Sequence, residues 1–208
     1  MTTTFIIIRH GETFWNREHR IQGHLDSALT PEGIAQAQAC AQRLKGEQID
    51  AVVASDLGRV QHTAKILVNG RALPVNFDAS LRERSFGTGE GMTYTEMDAK
   101  YPQMFSTTGL VDAEFTLPDG ESRATFHQRV KACIEGIAVA YAGKRVLVVT
   151  HGGVLGVIYR WLNDLPIGAQ RIAIPNVGYN RLSNGPAGWA INVWGDTGHL
   201  DIDTSEAG

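Results

Sequence analysis

The sequence predicts an α/β domain, a three-layer α/β/α sandwich with a mainly parallel central sheet and an inserted lid. Three observations carry that expectation. Short β-branched apolar runs alternate with helical stripes along the chain. The run Val146-Leu147-Val148-Val149 reads as a strand buried on both faces. A stretch rich in glycine and proline, from about 85 to 120, breaks the alternation where a compact domain would place a functional insertion. A length of 208 residues suits one domain, 1–208, with a sizeable core.

Phe5 to Ile8 is the first predicted strand and stops at Arg9-His10-Gly11-Glu12. Thr30 and Pro31 mark a helix start, as N-cap and first helical residue, and Ile34, Ala37, Ala41 and Leu44 follow at helical spacing. Ala51 to Ala54 is a second strand. Asp56 is the expected cap of a helix with the stripe Leu57, Val60, Ala64 and Leu67. Pro74 to Phe77 is a weaker third strand. One short helix is expected inside the lid, around Thr93 to Tyr101, and a long one from about Ser122 to Tyr141 buries Phe126, Val130, Ile134, Ile137 and Tyr141. Arg145 to Thr150 is the strongest strand, and a helix from about Val154 to Leu162 follows it. Strands near Tyr179–Leu182 and Ala190–Val193 end the fold, and the polar tail after Asp201 is expected to fray.

Composition excludes several classes. A net charge of −3 gives no global field for nucleic acid or an anionic membrane, so an anion must be bound by a local cationic cluster. The apolar run at Phe5–Ile8 is too short for a signal peptide and no stretch is long enough to span a bilayer, so a cytoplasmic protein is expected. Cys40 and Cys133 lie far apart in helical patterns and read as reduced core thiols.

In open α/β sheets ligands bind beyond the carboxyl ends of the strands. Arg9 and His10 follow the first strand. Ser55, Asp56 and Arg59 follow the second, Arg82-Glu83-Arg84 the third, and Thr150-His151-Gly152-Gly153 the strongest. Two histidines, several arginines and a glutamate should converge there as an anion pocket. Arginine's planar fork matches phosphate oxygens. A neutral histidine aimed through its other nitrogen can attack phosphorus, Gly11 lets the backbone pass close to that ring, and a protonated second histidine adds charge and a donor. A carboxyl beside a phosphate dianion holds its proton more tightly and can pass it to a leaving oxygen. Gly87, Gly89 and Gly91 do not sit between first strand and helix, so they are no dinucleotide fingerprint. No metal-ligand cluster is evident.

The ordered set Arg9-His10-Gly11-Glu12, Trp15-Asn16, Gln22-Gly23, Leu29-Thr30, Ser55-Asp56-Leu57 with Arg59, Leu81 with Glu83, Gly120-Glu121-Ser122 and Thr150-His151-Gly152 resembles the histidine phosphatase superfamily, the phosphoglycerate-mutase-like proteins. The resemblance implies that His10 is the phosphorylated nucleophile, that Arg9, Arg59 and His151 bind phosphate, and that Glu83 is the general acid. It further implies that Asn16 and the backbone near Gly152 help hold phosphate, that Gln22 and Gly23 line the mouth, and that no metal is needed. The remaining histidines, His19, His24, His62, His127 and His199, read as structural or solvent-facing.

Phosphatase and mutase chemistry begin alike, and the resemblance points to the broad-specificity phosphatase branch. The mutases it brings in carry a longer insertion with extra arginines and lysines. Here Met92 to Gly120 holds one basic residue, Lys100, and five acidic ones, Glu96, Asp98, Asp112, Glu114 and Asp119. Its apolar members include Met92, Tyr94, Met97, Tyr101, Met104, Phe105, Leu110 and Phe115. Such a lid should disfavour a doubly anionic ester by desolvation and repulsion, and suit a small ester with a neutral or apolar leaving group. The alternative is a phosphoglycerate mutase, which would need 2,3-bisphosphoglycerate as primer; otherwise no cofactor is expected. A non-catalytic phosphate-binding protein would be marked by loss of His10 or Glu83, and both are present. The expected partner is a small-molecule phosphate ester; Ile172-Ala173-Ile174-Pro175 suits either a homodimer contact or core packing.

Overall fold

The computed structural model describes residues 1–102, 112–168 and 172–200. Met104, Phe105 and Leu110 of the lid, and the tail after Asp201, lie outside the described residues.

Six strands form one sheet in the order β3-β2-β4-β1-β5-β6. β1 (Thr3–Arg9), β2 (Ala51–Ala54), β3 (Val75–Phe77) and β4 (Arg145–Thr150) run parallel to one another. β5 (Tyr179–Gly185) and β6 (Gly188–Asp196) add an antiparallel hairpin beside β1. Each side chain of β1 and β4 alternates between two cores, as the strand period requires. Phe5, Ile7, Val146 and Val148 pack under α5 (Arg123–Ala140) and α6 (Gly152–Leu162). Ile6, Ile8, Leu147 and Val149 pack under α2 (Pro31–Leu44) and α3 (Gly58–Leu67). Ile6, Ile7 and Ile8 are completely buried, each contributing about 1.5–3 kcal/mol of apolar transfer. These two cores are the physical content of the expected three layers.

The expected elements are found, with local differences. Thr30 accepts the Gly33 N–H at 2.9 Å and Pro31 opens α2. Asp56 does not cap α3. Leu57 holds the N-cap position without a side-chain bond, and Asp56 is held away by a two-pronged pair with Arg82, at 2.7 and 2.5 Å. α6 begins at Gly152, two residues before the apolar stripe, because glycines carry no stripe signal. Tyr141 is the C-cap of α5 and only half-buried. A short helix α1 (Phe14–Arg17), capped reciprocally by Thr13 and Asn16, was not expected, since one turn is too short for periodicity to show. Cys40 is buried and Cys133 half-buried, both free thiols.

In the insertion, Thr93 and Glu96 form a capping box on α4 (Tyr94–Lys100). Met97, Leu117 and Ile21 make a third small core with Phe86, Tyr101 and Phe115 packed on it. That core fixes the insertion over the carboxyl end of β1. Gly11 also meets the start of α2. A methyl there would fall 2.4 Å from the Gly33 carbonyl, so glycine permits backbone contact with the start of α2.

Candidate active site

Arg9 and Thr150 face each other as the last residues of neighbouring strands β1 and β4, so the next residues, His10 and His151, emerge side by side. Their rings lie edge to face, 5.4 Å apart. His10 is 3% exposed, and its Nδ1 donates to the Gly11 carbonyl at 2.8 Å. A carbonyl can only accept, so the proton sits on Nδ1 and Nε2 keeps its lone pair. Burial, then the charges of Arg59 and Arg9, hold His10 well below the usual histidine range, which keeps the ring neutral.

His151 is fully buried at the N-cap position of α6. Its Nε2 lies 2.8 Å from the Ser55 hydroxyl. The Leu57 N–H donates to the same oxygen, at 3.4 Å. His151 Nδ1 is buried and has no hydrogen-bond partner among the described residues. Burial, then Arg59 and His10, hold this ring too well below the usual value. The second histidine was expected to be protonated; burial, with the nearby arginines, instead favours its neutral form.

Arg59 reaches the site from α3 and is 2% exposed. It donates to the carbonyls of Leu25 and Gly23, each at 2.8 Å, and pairs with Asp26 at 2.9 Å. Burial lowers its pKa and Asp26 opposes that. Arg9 donates to the Ile174 carbonyl at 2.6 Å. Asn16 accepts from Thr13 N–H and from Asn176 with its amide oxygen, which leaves its amide nitrogen as the donor. Gln22 is buried, with an amide oxygen that has no partner among the described residues. Glu83 is anchored twice: Arg84 N–H donates to Oε1 and Gly153 N–H to Oε2, both at 2.8 Å. A methyl at Gly153 would fall 1.9 Å from Oε1, so the carboxylate fits only against a glycine.

Every residue expected at the site, His151 apart, lines one cavity of about 540 Å³: Arg9, His10, Asn16, Gln22, Gly23, Arg59, Glu83 and Gly152. His151 is reached through its contact with His10. Several functional positions had no sequence signal. Glu90 accepts from the N–H groups of His24, Leu25 and Phe86, at 2.9, 3.0 and 3.0 Å, and so straps the Gln22–Leu25 loop to the insertion. Asn176 donates to the His10 carbonyl at 2.9 Å. Ile21, Phe86, Tyr94 and Ile172–Ile174 supply an apolar wall. His24 Nε2 lies 3.0 Å from the Glu83 carbonyl oxygen.

The insertion's carboxylates do not act as expected. None of the five lines the cavity; Glu96 is engaged in its capping box and faces Arg20 at 3.6 Å. Lys100 is exposed, its ammonium over the Tyr101 ring. Among the described residues no group of His, Cys, Asp and Glu could hold a metal ion.

Fold and site together define an α/β enzyme that acts on phosphate esters. The sequence model of the histidine phosphatase superfamily, branch 1, matches residues 5–197, and the chain belongs to that superfamily. It is 37% identical over 199 residues to phosphoglycerate mutase-like protein 4 of Arabidopsis thaliana, covering 94% of this chain and 86% of the relative. The solved structure of YhfR from Bacillus stearothermophilus superposes with a TM-score of 0.89 at 31% identity, covering 96% of this chain and all of that one. A mycobacterial glucosyl-3-phosphoglycerate phosphatase gives 0.80 at 30% identity, over 93% of this chain and 98% of its own.

Proposed function

We propose that this enzyme is a metal-independent phosphatase that hydrolyses small phosphate monoesters through a phosphohistidine on His10. The carrying observation is the His10 ring, neutral, with Nδ1 tied to Gly11 and Nε2 left to attack. In the first step Nε2 bonds to phosphorus as the ester P–O bond breaks, and a protonated Glu83 gives its proton to the leaving oxygen. In the second step water attacks phosphorus, its proton passes to Glu83, and the N–P bond breaks to free phosphate. Arg9, Arg59, Asn16 and His151 neutralise the equatorial oxygens throughout. General-acid assistance of this kind is worth about 10²–10⁴-fold.

Hydrolysis is favoured over mutase chemistry by the insertion. A mutase must hold a doubly anionic intermediate while it turns, and among the described residues the insertion brings no cation to the cavity. The likeness to a mutase-like protein keeps the second reading in play. A phosphorus NMR time course separates the two. The enzyme meets 3-phosphoglycerate, a trace of 2,3-bisphosphoglycerate and p-nitrophenyl phosphate in chelator. Inorganic phosphate without 2-phosphoglycerate is the expected result; rapid 2-phosphoglycerate with little free phosphate would make it a mutase.

A further inference from the structure

Glu83 stands on an irregular loop, after the short turn Ala79–Leu81 and before the insertion. Its carboxylate is fixed by the Arg84 and Gly153 N–H groups. Its main chain is fixed from the other side by Arg129 of α5. Arg129 Nη1 donates to the Ser80 and Arg82 carbonyls, at 2.8 and 3.1 Å, and Nη2 to the Glu83 carbonyl, at 3.3 Å. Nε and Nη2 also donate to the two carboxylate oxygens of Glu121, at 2.8 and 2.7 Å. A guanidinium has five N–H groups, so every one is engaged. The Leu81 carbonyl accepts from the Thr150 hydroxyl at 2.8 Å, and Thr150 is the residue before His151. Four successive carbonyls, Ser80 to Glu83, are therefore each held by a side chain. The Glu121 N–H adds a bond to the Ser85 carbonyl at 2.9 Å. Neither Arg129 nor Glu121 lines the catalytic cavity, and their side chains are only 23% and 13% exposed. Carbonyls of a surface loop can be served by water. A largely buried ion pair that grips three of them fixes the position of the loop as well as satisfying it.

We infer that Arg129, oriented by Glu121, is a positioning residue for the general acid. It sets the main chain at Glu83 so that the carboxyl, pinned at its other end by α6, meets the leaving oxygen. The run Gly120-Glu121-Ser122 gains a role by this reading: Ser122 caps α5 by accepting the Thr125 N–H at 3.1 Å, and Glu121 aims the arginine that α5 carries. Lysine is a poor substitute, because an ammonium offers three donors from one point and lacks the fork that grips a carboxylate and the carbonyls together. The inference rests on the reading of Glu83 as the acid.

The test is a double-mutant cycle of Arg129→Met with Glu83→Gln, and Arg129→Lys beside it. kcat and KM are measured for an alkyl phosphate and for p-nitrophenyl phosphate, at a temperature where circular dichroism shows each variant folded. Arg129→Met alone should lower kcat for the alkyl ester about tenfold to a hundredfold, and that for the p-nitrophenyl ester far less, with KM for both little changed. On top of Glu83→Gln the same substitution should cost almost nothing further, because its effect passes through Glu83. Arg129→Lys should fall between wild type and Arg129→Met, and it carries the same cycle if Arg129→Met does not fold. A reduced folded fraction scales both esters alike and leaves their ratio where it was. Equal losses on the two esters, or the same loss with and without Glu83→Gln, overturn the proposal and make Arg129 a structural anchor. Should Glu83→Gln itself leave the ester ratio unchanged, the acid reading falls and the proposal with it. Should Glu83→Gln move the ratio while the Arg129 variants do not, the proposal alone falls.

Discussion

Replacing Gly153 by alanine should separate chemistry from stability. The new methyl would fall 1.9 Å from Glu83 Oε1, where a normal contact needs about 3.5 Å, so the carboxylate must swing away by more than about 1 Å. That movement breaks the 2.8 Å bond from Gly153 N–H to Oε2. A hydrogen bond to a charged acceptor contributes about 1.5–3 kcal/mol, so the aligned carboxyl population falls about tenfold to a hundredfold. Misplacement of a catalytic group by about 1 Å gives a loss of similar size. The fold should lose little, because alanine favours a helix over glycine by up to about 1 kcal/mol and so offsets part of the lost bond. For a chain of this size each remaining 1 kcal/mol is a fall of about 2–4 °C in Tm. The assay is kcat for an alkyl phosphate and for p-nitrophenyl phosphate, beside a melting curve. The alkyl ester should lose about 10²-fold, the p-nitrophenyl ester far less, since its leaving group scarcely needs a proton. Equal losses on both esters, or no loss on either, would remove Glu83 from the acid role.

Other outcomes follow from the same geometry. His10→Ala should abolish turnover and covalent phosphate labelling; retention of a tenth of wild-type turnover would end the phosphohistidine mechanism. Ser55→Ala should strand His151 Nε2 without its hydroxyl partner, costing about 1–3 kcal/mol of stability and lowering kcat/KM, with the change visible in the imidazole nitrogen NMR shifts; unchanged shifts would refute the Ser55–His151 contact. His10 and His151 are both held well below the usual histidine value, chiefly by burial. The unfolded chain takes up protons near pH 6.5 while the folded one resists, so their stability contribution is full above about pH 6.5 and declines as pH falls below it. Tm should therefore drop between about pH 7 and 5, with a shallower slope in the His10→Gln, His151→Gln double variant; parallel slopes would contradict the assignment.

Periodicity made the sandwich legible. Strands with full apolar runs demanded helices on both faces, and the two cores split β1 and β4 residue by residue. The strand-end positions of His10, Arg59, Glu83 and His151 were legible for the same reason, since the topology forces residues after parallel strands to one rim. What stayed hidden depends on contacts between distant segments. Glu90 and Asn176 act on backbone groups brought near only by folding. Asp56 matched a helix-cap pattern, yet the bidentate pair with Arg82 outcompeted a single backbone bond. The insertion's charge count misled because composition does not tell which way Glu96 points, whereas the arginines that meet the cavity come from outside that window.

The register that sets Arg9 opposite Thr150 also governs when the enzyme can exist. His10 leaves the ribosome early and His151 late, and no local segment brings them together. The pairing of β1 with β4 is a contact of high sequence separation, which closes slowly and only after most of the chain has been made. A nascent or truncated chain that ends before β4 holds the nucleophile without the partner strand that seats it. Turnover is thus a readout of completed folding, and recovery of activity after dilution from denaturant should follow the slowest long-range step of sheet assembly.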